Sequence, residues 1–186
     1  LSGDRINSQT LTFTPQHPPR GGHYQFDVAD VAHGRSAGAV TLIWQALVWP
    51  LLFADAPAHV TLQGGTHVPF SPSADYLMHV AQPAFAKLGA QVDLHLTQWG
   101  WMPSGGGELL AETRPTPHLN AHHFLPAPRD PVEGVAIATN LPAHIPQRMA
   151  QRAIRLLADL GRKPHIQPRR ERASSPGAAL FLWVEG

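Results

Sequence analysis

Two glycine-rich stretches are where this chain could bring backbone N–H groups up to a phosphate: Gly64-Gly65-Thr66, just ahead of a helix, and Gly105-Gly106-Gly107, between two strands. A helix N-terminus offers an anion free N–H groups and the positive end of a dipole. Glycine lets the backbone come close to whatever it meets. Three in a row exceed what a tight turn needs, so the second stretch approaches either a neighbouring element or a ligand phosphate. Gln45 is the polar residue of an otherwise apolar helix. A buried amide there needs hydrogen-bond partners or costs about 1 to 3 kcal/mol, and a loop backbone or a ligand would serve. Arg20 and Arg35, each flanked by glycine, are candidates for holding a phosphate end.

Other chemistries find less support. The chain has 12 histidines, and His118 and His122 have i, i+4 spacing, but they sit in a proline-bounded stretch without an HExxH context. No metal site is assigned. The absence of cysteine removes disulfides, thiol catalysis and Cys-ligated zinc, and is compatible with a reducing cytosol. A Gly-x-Ser-x-Gly nucleophile turn does not occur. The basic run Arg162-Lys163 with Arg169-Arg170-Glu171-Arg172 reads as a solvated face, with RNA phosphate as the alternative partner.

The elements that must position these residues follow from pattern and punctuation. Strands are expected at Leu11–Thr14, Tyr24–Val28, His59–Gln63, Gln91–Trp99 and Glu108–Thr113, where apolar and polar residues alternate. Ser36 to Phe53 reads as a buried helix with Pro50 in its last turn. A second helix runs from Ala74 to Leu88, with Ser73 as N-cap, Gly89 as stop, and Tyr76, Leu77, Val80, Phe85 and Leu88 available for its inner side. The order strand, helix, strand, helix, strand, strand predicts an α/β unit with helices on one side of a sheet. Arg114 to Pro131, rich in proline and histidine, reads as a linker. Beyond it come a strand at Val132–Thr139, an amphipathic helix at Pro146–Leu160 with Met149, Ile154, Leu157 and Leu160 inward, and a strand at Ala178–Val184.

With 43% apolar and 15% charged residues the chain reads as folded, and a formal charge of +1 makes any RNA contact a local one. The most apolar window, Val40 to Phe53, is shorter than the roughly 20 residues a membrane span needs, so no membrane partner is expected. The chain starts at Leu1 without a basic head and apolar run, and so reads as a fragment lacking a signal peptide.

Two motifs in order carry a resemblance. Gly100-Trp101-Met102-Pro103-Ser104-Gly105-Gly106-Gly107-Glu108-Leu109 looks like the Gly-x-x-Pro-x-Gly-Gly-Gly-x-Leu signature of the RNA 3'-terminal phosphate cyclase family, and Gly64-Gly65-Thr66 with Pro72-Ser73-Ala74-Asp75-Tyr76 resembles that family too. The similarity runs from Ile6 to the end and weakens between Pro115 and Val132. Trp99 stands where the family usually has Arg or His. The resemblance implies an α/β (α+β) fold: a main domain of repeated β-α-β-α-β-β units with helices on one side of a sheet, and a smaller inserted α/β domain. Residues 1–128 would be the end of one repeat and one complete repeat, and residues 129–186 an incomplete insert.

It also implies an ATP-dependent enzyme of the ligase class that converts an RNA 3'-phosphate into a 2',3'-cyclic phosphodiester through a histidine-AMP intermediate. A divalent metal, Mg or Mn, would assist, RNA 3'-phosphate ends would be the partners, and the location would be cytoplasmic. By the same resemblance Gln45 contacts ATP, the Gly64-Gly65-Thr66 loop lines the nucleotide cleft, and Pro72 stacks on the adenine. The nucleophilic histidine and the metal motif are expected outside these residues, so no catalytic residue is assigned and the fragment alone is expected to be inactive. The alternatives are a cyclase-like ribosome-biogenesis protein without cyclase activity, and an unrelated α/β binding domain.

Overall fold

The structure, a computed structural model, describes residues 1–32, 34, 36–126 and 130–185. Four strands, β1 (Gly22–Asp27), β2 (Ala58–Gly64), β3 (Gln91–Gln98) and β4 (Gly107–Arg114), form one sheet in the order β1-β2-β4-β3. β1 and β2 run parallel, while β4 is antiparallel to both of its neighbours. Alternation puts every second side chain on one face. Val60 and Leu62 of β2, Leu109 and Ala111 of β4, and Val92 and Leu94 of β3 are buried in a single cluster with the helices.

Those helices are α1 (Val28–Ala32) and α2 (Val40–Leu52) between β1 and β2, then α3 (Ala74–Tyr76), a π-helical turn (Leu77–Ala81) and α4 (Gln82–Lys87), which follow one another without a break between β2 and β3. On α2 the residues Val40, Trp44, Val48, Leu51 and Leu52 are buried at helical spacing. Ser73 caps α3, its hydroxyl accepting from the N–H of Tyr76 at 3.1 Å, and Gly89 follows the helix with φ of 83°. The mixed α/β class with its order of elements is therefore as the pattern indicates.

Several details differ. Leu11–Thr14 forms no strand beyond a bridge between Ser2 and Thr12, and Leu11 and Phe13 are exposed. The helix of 36–53 begins only at Val40, because the preceding backbone is used to pair with the Gly64-Gly65 loop: Gly65 N donates to Gly38 O at 2.8 Å. The π-helical turn shifts the helical phase, so Leu77 is buried while Tyr76 and Val80, expected inward, are exposed. The short helix α1 was not legible in the pattern.

A second sheet has the order β6-β5-β7, with β5 (Val132–Thr139) parallel to β6 (Pro164–Glu171) and antiparallel to β7 (Gly177–Trp183). Helix α5 (His144–Asp159) crosses from β5 to β6 and packs Ala150 and Ala153 against Ala136 and Ile166. Met149, Ile154 and Leu157 join that core, but Leu160, expected inward, lies past the helix end and is exposed. The charged run around Arg169 is a strand rather than a bare solvated face. The segment from Arg114 to Pro131 has no regular structure, yet it is tied to the first sheet's helices: Thr116 N donates to Leu52 O at 2.7 Å and Asn120 N to Leu88 O at 2.9 Å. The division expected between residues 128 and 129 lies outside the described residues.

Candidate functional site

The two glycine-rich stretches cross each other. Thr66 N and His67 N both donate to Gly100 O at 3.0 Å, and Gly100 N donates back to Thr66 Oγ1 at 2.9 Å. A Cβ on Gly100 would lie 2.1 Å from Gly64 O and 2.5 Å from Gly107 N, so only glycine lets these strands of backbone touch. A Cβ on Gly65 would lie 2.4 Å from Ala37 O. The glycines of both loops thus answer first to neighbouring backbone, and the Gly65 and Thr66 amides are already bonded to carbonyls rather than free for a phosphate.

A buried relay extends from this crossing. His67 Nδ1 lies 2.8 Å from Thr66 Oγ1, and His67 Nε2 lies 2.6 Å from Asp75 Oδ2. Since the carboxylate can only accept, Nε2 carries the proton, Nδ1 accepts from the threonine hydroxyl, and that hydroxyl accepts from Gly100 N. Every polar atom of the chain Gly100–Thr66–His67–Asp75 is thereby paired. The His67 ring packs 5.0 Å from Trp101 and 5.2 Å from Phe181, which brings in the second sheet. Trp99, Trp101 and Ile137 close a small apolar core around it.

Beside the crossing is a cavity of about 200 Å³ lined by Asp27, Gln63, Gly64, Ser104, Gly106 and Glu108, among others. Glu108 Oε1 accepts from Thr97 Oγ1 at 2.7 Å, and Oε2 accepts from Gln63 Nε2 at 2.9 Å. These bonds, Thr97 first, hold its carboxyl below the usual carboxylate range against a smaller opposing effect of burial.

The residues singled out from sequence do not all meet here. Gly64 lines the cavity, and Gly65 and Thr66 are buried behind it, with the threonine hydroxyl fully engaged. Pro72 is half-buried ahead of the α3 cap. Gln45 is exposed on α2 rather than buried, on the same outer side as the exposed Leu42, Trp49 and Phe53, so its amide is not a satisfied core group. Arg20 is exposed at the opposite end of the sheet from Gly64; the length of β2, at about 3.3 Å per residue, separates them by roughly 20 Å. Arg35 lies outside the described residues. Among the described residues no three His, Asp or Glu side chains converge to hold a metal ion, and no helix is long and apolar enough to cross a membrane. His67, Asp75 and Glu108 were not singled out, because their roles come from contacts 8 to 45 residues apart in the chain.

The RNA 3'-terminal phosphate cyclase family model matches residues 1–174. The chain is 45% identical over 186 residues to an RNA 3'-terminal phosphate cyclase of Gloeothece citriformis (strain PCC 7424), covering 100% of this chain and 53% of that relative. It is 43% identical to the Methylococcus capsulatus (strain ATCC 33009 / NCIMB 11132 / Bath) protein of the same name, covering 98% of this chain and 51% of the relative. It is 32% identical to that of Pyrococcus furiosus (strain ATCC 43587 / DSM 3638 / JCM 8422 / Vc1), covering 100% and 52%. The chain spans about half the length of the curated relatives it matches.

Proposed function

The chain belongs to the RNA 3'-terminal phosphate cyclase family, and from that premise we propose that it supplies part of the nucleotide site of an ATP-dependent ligase-class enzyme that closes an RNA 3'-phosphate onto the neighbouring 2'-hydroxyl. In this reaction a histidine nitrogen attacks the α-phosphorus of ATP and pyrophosphate leaves. The AMP then passes to an oxygen of the RNA 3'-phosphate. Finally the 2'-OH loses its proton and attacks the 3'-phosphorus, AMP departs, and the 2',3'-cyclic phosphodiester remains. Activation by AMP replaces a poor leaving group with a good one and divides one high barrier into smaller ones. No histidine of this chain is assigned as the nucleophile. A divalent metal, Mg or Mn, would offset phosphate charge and is given no ligand among these residues. A cytoplasmic location belongs to the same proposal.

The observation that supports the nucleotide reading is the setting of Gln45: an exposed amide beside the exposed Leu42, Trp49 and Phe53 of one helix face. An adenine needs a flat apolar surface and a donor-acceptor pair for its edge, and a glutamine amide supplies that pair in register. Pro72 offers a second apolar contact, and Gly64 shapes the loop alongside. Thr66 acts by holding that loop through Gly100 and His67 rather than by touching the ligand. The names of the relatives carry the cyclase activity, which favours this reading over a cyclase-like protein of ribosome biogenesis.

Titration of the 186-residue chain with ATP, followed by tryptophan fluorescence, tests the site. Gln45→Ala should weaken binding about 10-fold and leave the urea midpoint unchanged, since the side chain is exposed. Equal affinity of the variant would remove Gln45 from the site. Incubation with ATP, Mg and a 3'-phosphorylated oligoribonucleotide should give no cyclic product from this chain alone, and an AMP adduct on one of its histidines would overturn the assignment of the nucleophile elsewhere.

A further inference from the structure

The cleft where the two sheets meet, about 460 Å³ in volume, has no part in the nucleotide reading of Gln45. Asp75, His79, Trp99, Glu133, Arg169 and Trp183 stand in its wall. Two flat pairs frame it. The His79 ring lies on the Trp183 ring at 4.0 Å with 8° between planes, and the Arg169 guanidinium carbon sits 5.4 Å over the Trp99 ring. Each pair takes one member from each half of the fold: His79 from the π-helical turn and Trp183 from β7, Trp99 from the end of β3 and Arg169 from β6. A cleft with such walls suits a flat aromatic ligand, because bases stack on indole and guanidinium planes irrespective of their identity.

The polar groups narrow the ligand further. Asp75 is buried and held by His67 at 2.6 Å, which fixes its carboxylate at the cleft wall. Glu133 adds a second carboxylate from β5. Two acceptor groups with negative charge receive hydrogen bonds from base N–H and ribose O–H, and they repel a triphosphate. Arg169 is partly compensated by Glu171 at 2.8 Å and does not reverse that balance. A free nucleoside triphosphate, with its charge gathered at one end, fits poorly. A nucleotide within a strand, whose phosphates point outward to solvent, fits well. Trp99, standing where related sequences usually have Arg or His, makes this wall a stacking surface.

We infer that this cleft is a subsite for a nucleotide of the RNA strand upstream of its 3' end, with the base against the Trp99/Arg169 and His79/Trp183 walls and its N–H and O–H groups donating to Asp75 and Glu133. The inference rests on the RNA-end reading above, since it names where that same strand lies. Asp75 links the subsite to the Gly64–Thr66 loop through His67, so strand and loop share one rigid support.

The test is an anisotropy titration of the full chain with a 5'-labelled pentaadenylate, alongside Trp183→Ala and His79→Ala, each checked by its urea midpoint. Both variants should bind about 10-fold more weakly, and AMP at equal concentration should not displace the oligonucleotide. Wild-type affinity in both variants overturns the subsite while leaving the RNA-end reading standing. Displacement by AMP as effective as by unlabelled pentaadenylate overturns the assignment to a strand nucleotide. Failure of the wild-type chain to bind any oligonucleotide removes both readings, and ATP binding through Gln45 is then tested by itself.

Discussion

The indole N–H of Trp101 donates to Thr139 Oγ1 across 2.9 Å in the interior, and Thr139 Oγ1 donates in turn to Ser175 O at 3.1 Å. With the 2.6 Å bond from Ser174 Oγ to Gly105 O, this fixes the glycine-rich turn between β3 and β4 to the second sheet. The turn is therefore a joint between the two sheets as well as a hairpin.

Thr139→Val keeps the shape and removes the acceptor, which leaves a buried indole N–H unpaired. The loss should be about 1 to 3 kcal/mol in a urea melt with unchanged slope. Trp101→Phe in the Thr139→Val background should cost less than in the wild type, because the orphaned donor leaves with it. Simple additivity of the two changes would show that the bond carries no coupling between the sheets.

Gly100→Ala and Gly161→Ala separate close approach from backbone strain. At Gly161 φ is 71° with nothing near the added Cβ, so the cost should be about 1 to 2 kcal/mol. At Gly100 the atoms in the way are backbone of the neighbouring strand ends at 2.1 and 2.5 Å, which have no side chain to swing aside. Gly100→Ala should cost more than about 3 kcal/mol or prevent folding, by the reasoning for overpacked cores. A Gly100→Ala protein as stable as Gly161→Ala would mean that the crossing of the two loops is not built this tightly.

The carboxyl of Glu108 is held low by Thr97 and Gln63, so its ionised form is favoured in the folded state. A depressed value contributes stability above the unfolded carboxyl range, near about 4.3, and that stability disappears as pH falls through the folded value. Urea midpoints of wild type and Glu108→Gln at pH 7, 5 and 3.5 should therefore show a gap that is full at pH 7 and 5 and narrower at 3.5. A gap that widens on acidification would reverse the sign and remove the carboxylate from this account.

Much of the first sheet was legible because its strands alternate cleanly and its helices carry caps and stops. Val92 and Leu94 against Asp93 and His95, and Ser73 ahead of Ala74 with Gly89 behind, state their structure locally. β6 was not legible, since its residues Pro164–Glu171 are polar and charged and gain strand form only from pairing with β5. The burial of Gln45 was misjudged for a related reason. An apolar helix suggests burial all round, whereas α2 keeps Leu42, Trp49 and Phe53 in solvent on the amide's side. The Thr66–His67–Asp75 relay depends on a loop closing on the first turn of a helix, and on Gly100 arriving from another strand pair. Residue spacing contains none of that.

Limited proteolysis addresses the segment from Arg114 to Pro131, which by composition alone would be cut anywhere along its length. The structure divides it. Thr116 is buried with its N–H bonded to Leu52 O, Asn120 N is bonded to Leu88 O, and Leu119 packs on the main cluster, so 116–120 is part of the first sheet's core. Residues 121–126 are exposed, including Phe124 and Leu125. A protease needs several residues of extended, unbonded chain, so cleavage follows the local opening free energy rather than the proline content. Chymotrypsin should cut first after Phe124 or Leu125, with the exposed Phe13 as the competing early site, and mass spectrometry of the first products identifies them. First cuts after Leu119, or inside β3 and β4, would mean that the anchoring bonds of Thr116 and Asn120 do not hold in solution.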